Sequence, residues 1–83
     1  MSRTDAELVT AFRGGEDEAF AELYDRYGDR IHTFAYTRLR DESAAARALQ
    51  TTFFEVPFRI DEVGDGDGFR PWLFGVAGRV IAV

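Results

Sequence analysis

One long apolar stripe at helical spacing constrains this sequence more than any other feature. In "EDEAFAELYDRYGDRIHTFAYTRLR", residues 16–40, Phe20, Leu23, Tyr24, Tyr27, Ile31, Phe34, Ala35 and Leu39 recur at intervals that favour three and four. Such spacing sets them on one face of an α-helix. A helix with one apolar face and one charged face must bury the apolar one, so the chain needs partner helices elsewhere. Acids crowd the first turn, and Arg38 and Arg40 close the last, as the helix dipole favours. Gly28 costs this helix ~1 kcal/mol and marks a bend or a close packing contact.

Three further segments read as the partners. "TDAELVTAFRGG" opens with a capping box, Thr4 followed three residues later by Glu7. It offers Leu8, Val9 and Phe12 on one face and stops at Gly14 and Gly15. "DESAAARALQTTFFEV" takes Asp41 or Ser43 as N-cap and turns Ala45, Leu49, Phe53 and Val56 inward. Pro57 predicts an end or a kink near Val56, with Phe58 and Arg59 leaving on a new heading. "DEVGDGDGF" reads as an acidic, glycine-rich loop. "RPWLFGVAGRVIAV" then places Pro71 at a first helical position and buries Leu73, Val76 and Val80, with Trp72 a further candidate. No segment alternates with period two. The expected fold is all-α, a single domain of about four helices over residues 1–83. The last helix reaches the end of the sequence without a C-cap signal, which leaves a fragment of a longer chain open.

Eight Phe, three Tyr and one Trp in 83 residues supply an efficient core, each ring burying ~150–250 Å². There is no cysteine, hence no disulfide framework and no thiolate metal site. With no apolar run able to cross a membrane, the expectation is a soluble, cytoplasmic protein. The net charge of −5 is uneven. Residues 1–25 carry seven acids against Arg3 and Arg13, whereas residues 26–47 carry five arginines against Asp29, Asp41 and Glu42. An acidic whole is a poor footprint for nucleic acid, so DNA binding would need a local arginine face.

Catalytic chemistry finds no foothold. The chain has neither Cys nor Lys, two Ser near helix starts and a single mid-helix histidine, His32. Asp61, Glu62, Asp65 and Asp67 fail the calcium-loop pattern, whose twelfth position falls on Trp72 or Val76. No enzyme activity, metal or cofactor is expected.

The order of the segments is the most informative signal. "DAELVTAFRGGEDEAFAELYDRYGDRI", "FAYTRLRD", a helix with "LQTTF", a loop and "FRPWLFGVAGRV" resemble region 2 of bacterial RNA polymerase sigma factors, the extracytoplasmic-function (ECF) group most closely. "AFAELYDRYGDRI" and "FRPWLFGVA" are the most specific stretches, and the resemblance covers roughly residues 5–83. It implies a small helical domain that grips the clamp helices of the polymerase's largest subunit, melts the promoter −10 element and captures a flipped nontemplate base. The second, −35-reading domain of that family has no counterpart in these residues.

Carried over residue by residue, the resemblance is uneven. The family's polymerase-binding helix often reads "AEDLVQETFLRAWR"; here those positions read "AARALQTTFFEVPF", followed by Arg59. Leu49, Gln50, Thr52 and Phe53 fit. The usual acids become Ala46, Arg47 and Thr51, a usual base becomes Glu55, the tryptophan becomes Pro57 and the next base becomes Phe58. In the last helix the common "ARN" becomes Ala77, Gly78 and Arg79. The resemblance thus implies polymerase-binding positions Arg47, Gln50, Thr51 and Phe54. For DNA it implies Arg59, Arg70 and Arg79, with Phe69 and Trp72 either packed in the core or stacked on an unpaired base. Two functions follow as expectations. One is a region 2 domain that binds core polymerase and −10 DNA, with an anti-sigma or other regulatory protein as a further candidate partner. The alternative is a degenerate sigma-like interaction module that no longer binds promoter DNA and displays Phe54 and Phe58 to another protein.

Overall fold

A computed structural model describes residues 3–82 and contains four α-helices: α1 (Asp5–Arg13), α2 (Asp17–Leu39), α3 (Glu42–Arg59) and α4 (Phe69–Ala82). No strand occurs among the described residues, so the all-α class is as expected. Local chemistry sets most boundaries. Thr4 Oγ1 accepts the Glu7 amide at 3.1 Å, and the Glu7 carboxylate accepts the Thr4 amide at 2.7 Å, closing the capping box. Asp41, rather than Ser43, caps α3 by accepting the Ala44 amide at 3.2 Å. α2 ends at Arg40, which adopts the left-handed φ of 56° and gives its amide to the Tyr36 carbonyl.

Two proline expectations need correction. α3 does not end at Val56 but runs through Pro57 to Arg59 and tightens into a 3₁₀ turn, Ile60–Val63. Pro57 lacks only the amide that would reach the Phe53 carbonyl, and its ring lies on the solvent side. Val56 and Ile60, both buried, hold the turns on either side of it against the core. α4 starts two residues before Pro71, which therefore stands third in the helix rather than first. It remains in the turn whose amides have no intrahelical partner.

α2 is the spine, in contact with all three other helices. Leu23, Tyr27 and Ile31 of α2 meet Leu8 and Val9 of α1, Phe53 and Val56 of α3, and Phe69 and Leu73 of α4. A smaller cluster of Ala35, Ala45 and Ala48 closes the far end, with Leu39, Val80 and Ile81 packed against it. Tyr24 departs from its expected place on the buried stripe and is 39% exposed. Val80 and Trp72 are half-buried, whereas Phe69 is fully buried.

Polar clasps tie both ends of α1 to the rest of the core. The Tyr27 hydroxyl donates to Asp5, and Arg26 donates to Asp5 and to the Arg3 carbonyl, each at 2.7 Å. Arg13, at the end of α1, donates to the Ile60 carbonyl at 2.7 Å and to the Gly64 carbonyl. The acidic loop is thereby drawn onto α1. Gly66, at φ 97°, is buried there, and an added Cβ would fall 2.9 Å from the Ala6 Cα. The loop is not simply the solvated turn that its composition suggests.

The two buried glycines should respond oppositely to alanine. α2 runs unbroken through Gly28, where a Cβ would meet the Tyr24 ring at an ordinary 3.4 Å. Gly28→Ala should therefore stabilise by about 0.5–1 kcal/mol in urea unfolding. Gly66→Ala meets both backbone strain and a clash with α1, and should cost about 2 kcal/mol or more.

The Tyr27 clasp should be visible at alkaline pH. Burial first, and then the hydrogen bond to Asp5, push the Tyr27 phenol up to about 12, against roughly 10 when unfolded. Because the folded value is the higher, this stabilisation is fully present below pH ~10 and is lost as pH rises through about 12. No Lys or Cys titrates in that window. Phenolate absorbance should show one of the three tyrosines ionising late, together with loss of helical circular dichroism. Tyr27→Phe should remove the late step.

Candidate functional site

The outward face of α3 gathers the four residues that the resemblance assigns to polymerase. Arg47, Gln50, Thr51 and Phe54 are all exposed, and their spacing of three, four and seven places them along one stripe. Phe58 extends the stripe by one more turn. Phe54 is 69% exposed and Phe58 76%, with their ring centroids 5.5 Å apart. Beside them lies an open groove of about 520 Å³ lined by Phe20, Tyr24, Gln50, Phe53, Phe54, Pro57 and Phe58. Its floor is braced by Phe53, which packs edge-on against Tyr24 at 4.9 Å and Phe20 at 6.1 Å. Nothing in the fold requires Phe54 or Phe58 to be apolar.

The residues assigned to DNA are more dispersed. Arg59 is engaged by two carboxylates, Glu55 at 2.9 Å and Glu62 at 3.1 Å. Glu62 also accepts the Trp72 indole N–H at 3.0 Å. The Trp72 N–H and then the Arg59 guanidinium hold the Glu62 carboxyl below the usual range, and Arg79 contributes at longer reach. The structure therefore gathers Arg59 and Trp72 around an anion within the chain. Arg70 and Arg79 are exposed and make no ion pair among the described residues.

Phe69 requires a correction. It is fully buried against Tyr27 and Trp72, with centroids 5.8 Å from each, so in this fold its ring is core and has no free face for a base. Trp72 keeps one partly exposed side. Glu62 is the residue whose role the sequence did not suggest. It read as one of several loop carboxylates, although its place three residues after Arg59 is a spacing that supports an ion pair. Its link to Trp72 spans ten residues and needs the loop geometry to bring it about.

Charged groups, aromatic rings and an apolar groove make these surfaces suited to binding. The His32 Nε2 lies 2.9 Å from the Glu42 carboxylate, a contact that joins the middle of α2 to the start of α3.

Comparison with known proteins finds sigma factors. The chain is 32% identical over 77 residues to the ECF RNA polymerase sigma factor BldN of Streptomyces coelicolor, a match covering 92% of this chain and 29% of BldN. It is 33% identical over 66 residues to the RNA polymerase sigma factor CarQ of Myxococcus xanthus, covering 80% of this chain and 38% of CarQ. It is 28% identical over 69 residues to the ECF RNA polymerase sigma factor SigW of Bacillus subtilis, covering 83% and 37% respectively. The chain thus spans between 29% and 38% of the length of these relatives. No protein-family model and no solved structure matches it. Three sigma factors aligned along most of a four-helix chain support its reading as an ECF sigma factor region 2-like domain.

Proposed function

We propose that this domain works in transcription initiation by docking on core RNA polymerase through the outward face of α3 and holding single-stranded promoter −10 DNA beside α4. The observation that carries this is the coincidence of the sigma-factor relationship with an α3 stripe of Arg47, Gln50, Thr51 and Phe54 that the fold leaves in solvent. The clamp helices of the polymerase's largest subunit are the expected partner. Arg70 and Arg79 supply the guanidinium groups for phosphate, and the partly exposed side of Trp72 supplies a stacking surface. Phe69 acts from beneath by fixing Trp72.

Electrostatics set the strength of both contacts. A basic clamp surface meets Arg47 where an acid would attract it, and like-charge juxtaposition across an interface costs several kcal/mol. Glu55 and Glu62 neutralise Arg59, so it releases little counterion on meeting DNA. Both interactions are therefore weak versions of those that the relationship implies.

The deciding experiment is a pull-down of core polymerase joined to fluorescence anisotropy on single-stranded −10 DNA at low salt. Micromolar or tighter binding to both supports the proposal; a folded, helical protein that binds neither overturns it. Arg47→Asp should tighten polymerase binding by at least roughly tenfold, read as the concentration for half-maximal capture. Glu55→Arg should tighten DNA binding and steepen its salt dependence. Arg70→Ala and Arg79→Ala should each flatten the slope of log affinity against log salt by ~0.7, the increment for one phosphate contact on a single strand.

A further inference from the structure

The α3 face carries more than a polymerase contact needs, and its layout points to a particular occupant. At its centre, two phenyl rings project into solvent beside an apolar groove floored by Phe20, Tyr24 and Phe53. Toward the start of the stripe stands Arg47, which makes no ion pair among the described residues. Beyond its other end stands Asp61, whose side chain is 96% exposed and is shared with Arg13 through a 3.5 Å ion pair. One face therefore holds a cation at one end, a carboxylate at the other, and both a projection and a hollow between them.

A surface built this way is complementary to itself. Set antiparallel about a two-fold axis near Phe54, α3 of one copy places its Arg47 seven residues from the axis, opposite Asp61 of the other, seven residues away in the opposite sense. The Phe54 and Phe58 rings of each copy then fall over the groove of its mate. This is an isologous contact, in which the same patch serves both partners. We propose that the domain self-associates into a two-fold dimer through this α3 face.

The expected strength follows from area. Four phenyl rings, each with most of its surface free, and the floor that they cover amount to roughly 1,100 Å² over the two copies, near the lower limit for specific interfaces. Two chains of net charge −5 also repel one another. The dimer should therefore be reversible, forming in the micromolar range or above. Resting on the polymerase proposal, one consequence is that dimerisation hides Arg47, Gln50, Thr51 and Phe54, so a second copy and core polymerase compete for one face.

Sedimentation velocity over a concentration series tests self-association with no polymerase present, so its outcome is independent of the polymerase proposal. The expected result is a monomer–dimer equilibrium that Phe58→Ser and Phe54→Ser each weaken by at least about tenfold. Arg47→Asp should also weaken it, by roughly three- to tenfold at low salt and by less at high salt. Both phenylalanines are mostly exposed, and helical circular dichroism verifies that the serine variants remain folded. A chain that stays monomeric at millimolar concentration overturns the proposal. So does a dimer that the two serine variants leave unchanged, because it uses another surface. Capture of the monomer by polymerase alone, with no self-association, assigns the groove to that partner and also overturns it.

Discussion

Every other element of this domain takes its position from the buried face of α2. Leu23, Tyr27 and Ile31 present nearly no surface to water, and α1, α3 and α4 each close against that helix. An 83-residue chain buries only ~60–65% of the surface its unfolded form exposes, so it cannot maintain two independent cores. The burial of one continuous stripe therefore governs the orientation of all three partners. It follows that α3 has one face committed to α2 and α4, and the opposite face left over. The candidate binding stripe is that remainder.

Polar clasps refine what burial arranges. Tyr27 belongs to the apolar stripe, yet its hydroxyl reaches Asp5 at the start of α1, so one residue contributes both to the core and to the placement of a neighbouring helix. Arg13 does the same at the other end of α1 by donating to two carbonyls of the loop between α3 and α4. The loop is pulled close enough that only glycine fits at position 66. From that position follows the meeting of Glu62 with Trp72, and with it the partial neutralisation of the surface proposed for DNA. A clasp near one end of the molecule thus sets the electrostatics of a face formed by α3 and α4.

The positions at which this chain departs from the pattern that the resemblance implies are unevenly distributed with respect to the core. Leu49 and Phe53 keep the packing of α3, and Thr52 satisfies its buried hydroxyl on the Ala48 carbonyl at 2.7 Å. Arg47, Thr51 and Phe58 lie on the outward side, where a change leaves folding intact and alters only what can bind. Pro57 belongs with them. Its missing hydrogen bond is a single loss near a helix end, offset by the burial of Val56 and Ile60, so the helix passes through it. The fold tolerates these residues for the same reason that a partner would notice them: they face away from α2.

The sequence by itself determined the class, the four helices, the N-cap at Thr4 and the sigma-factor resemblance, and it narrowed the α3 cap to Asp41 or Ser43. All of these rest on spacing and on contacts between residues three or four apart. It also placed Arg47, Gln50, Thr51 and Phe54 on one stripe, because helical periodicity alone relates those positions. Tertiary structure alone decided that Phe69 is core while Trp72 keeps a free side, that Tyr24 leaves the buried face, and that α3 outlasts its proline. It alone joined Glu62 to Trp72 and packed Gly66 beneath α1. These outcomes depend on which helix lies opposite and on how far a loop is drawn inward. Contacts across ten to fifty residues set both, and no local propensity encodes them.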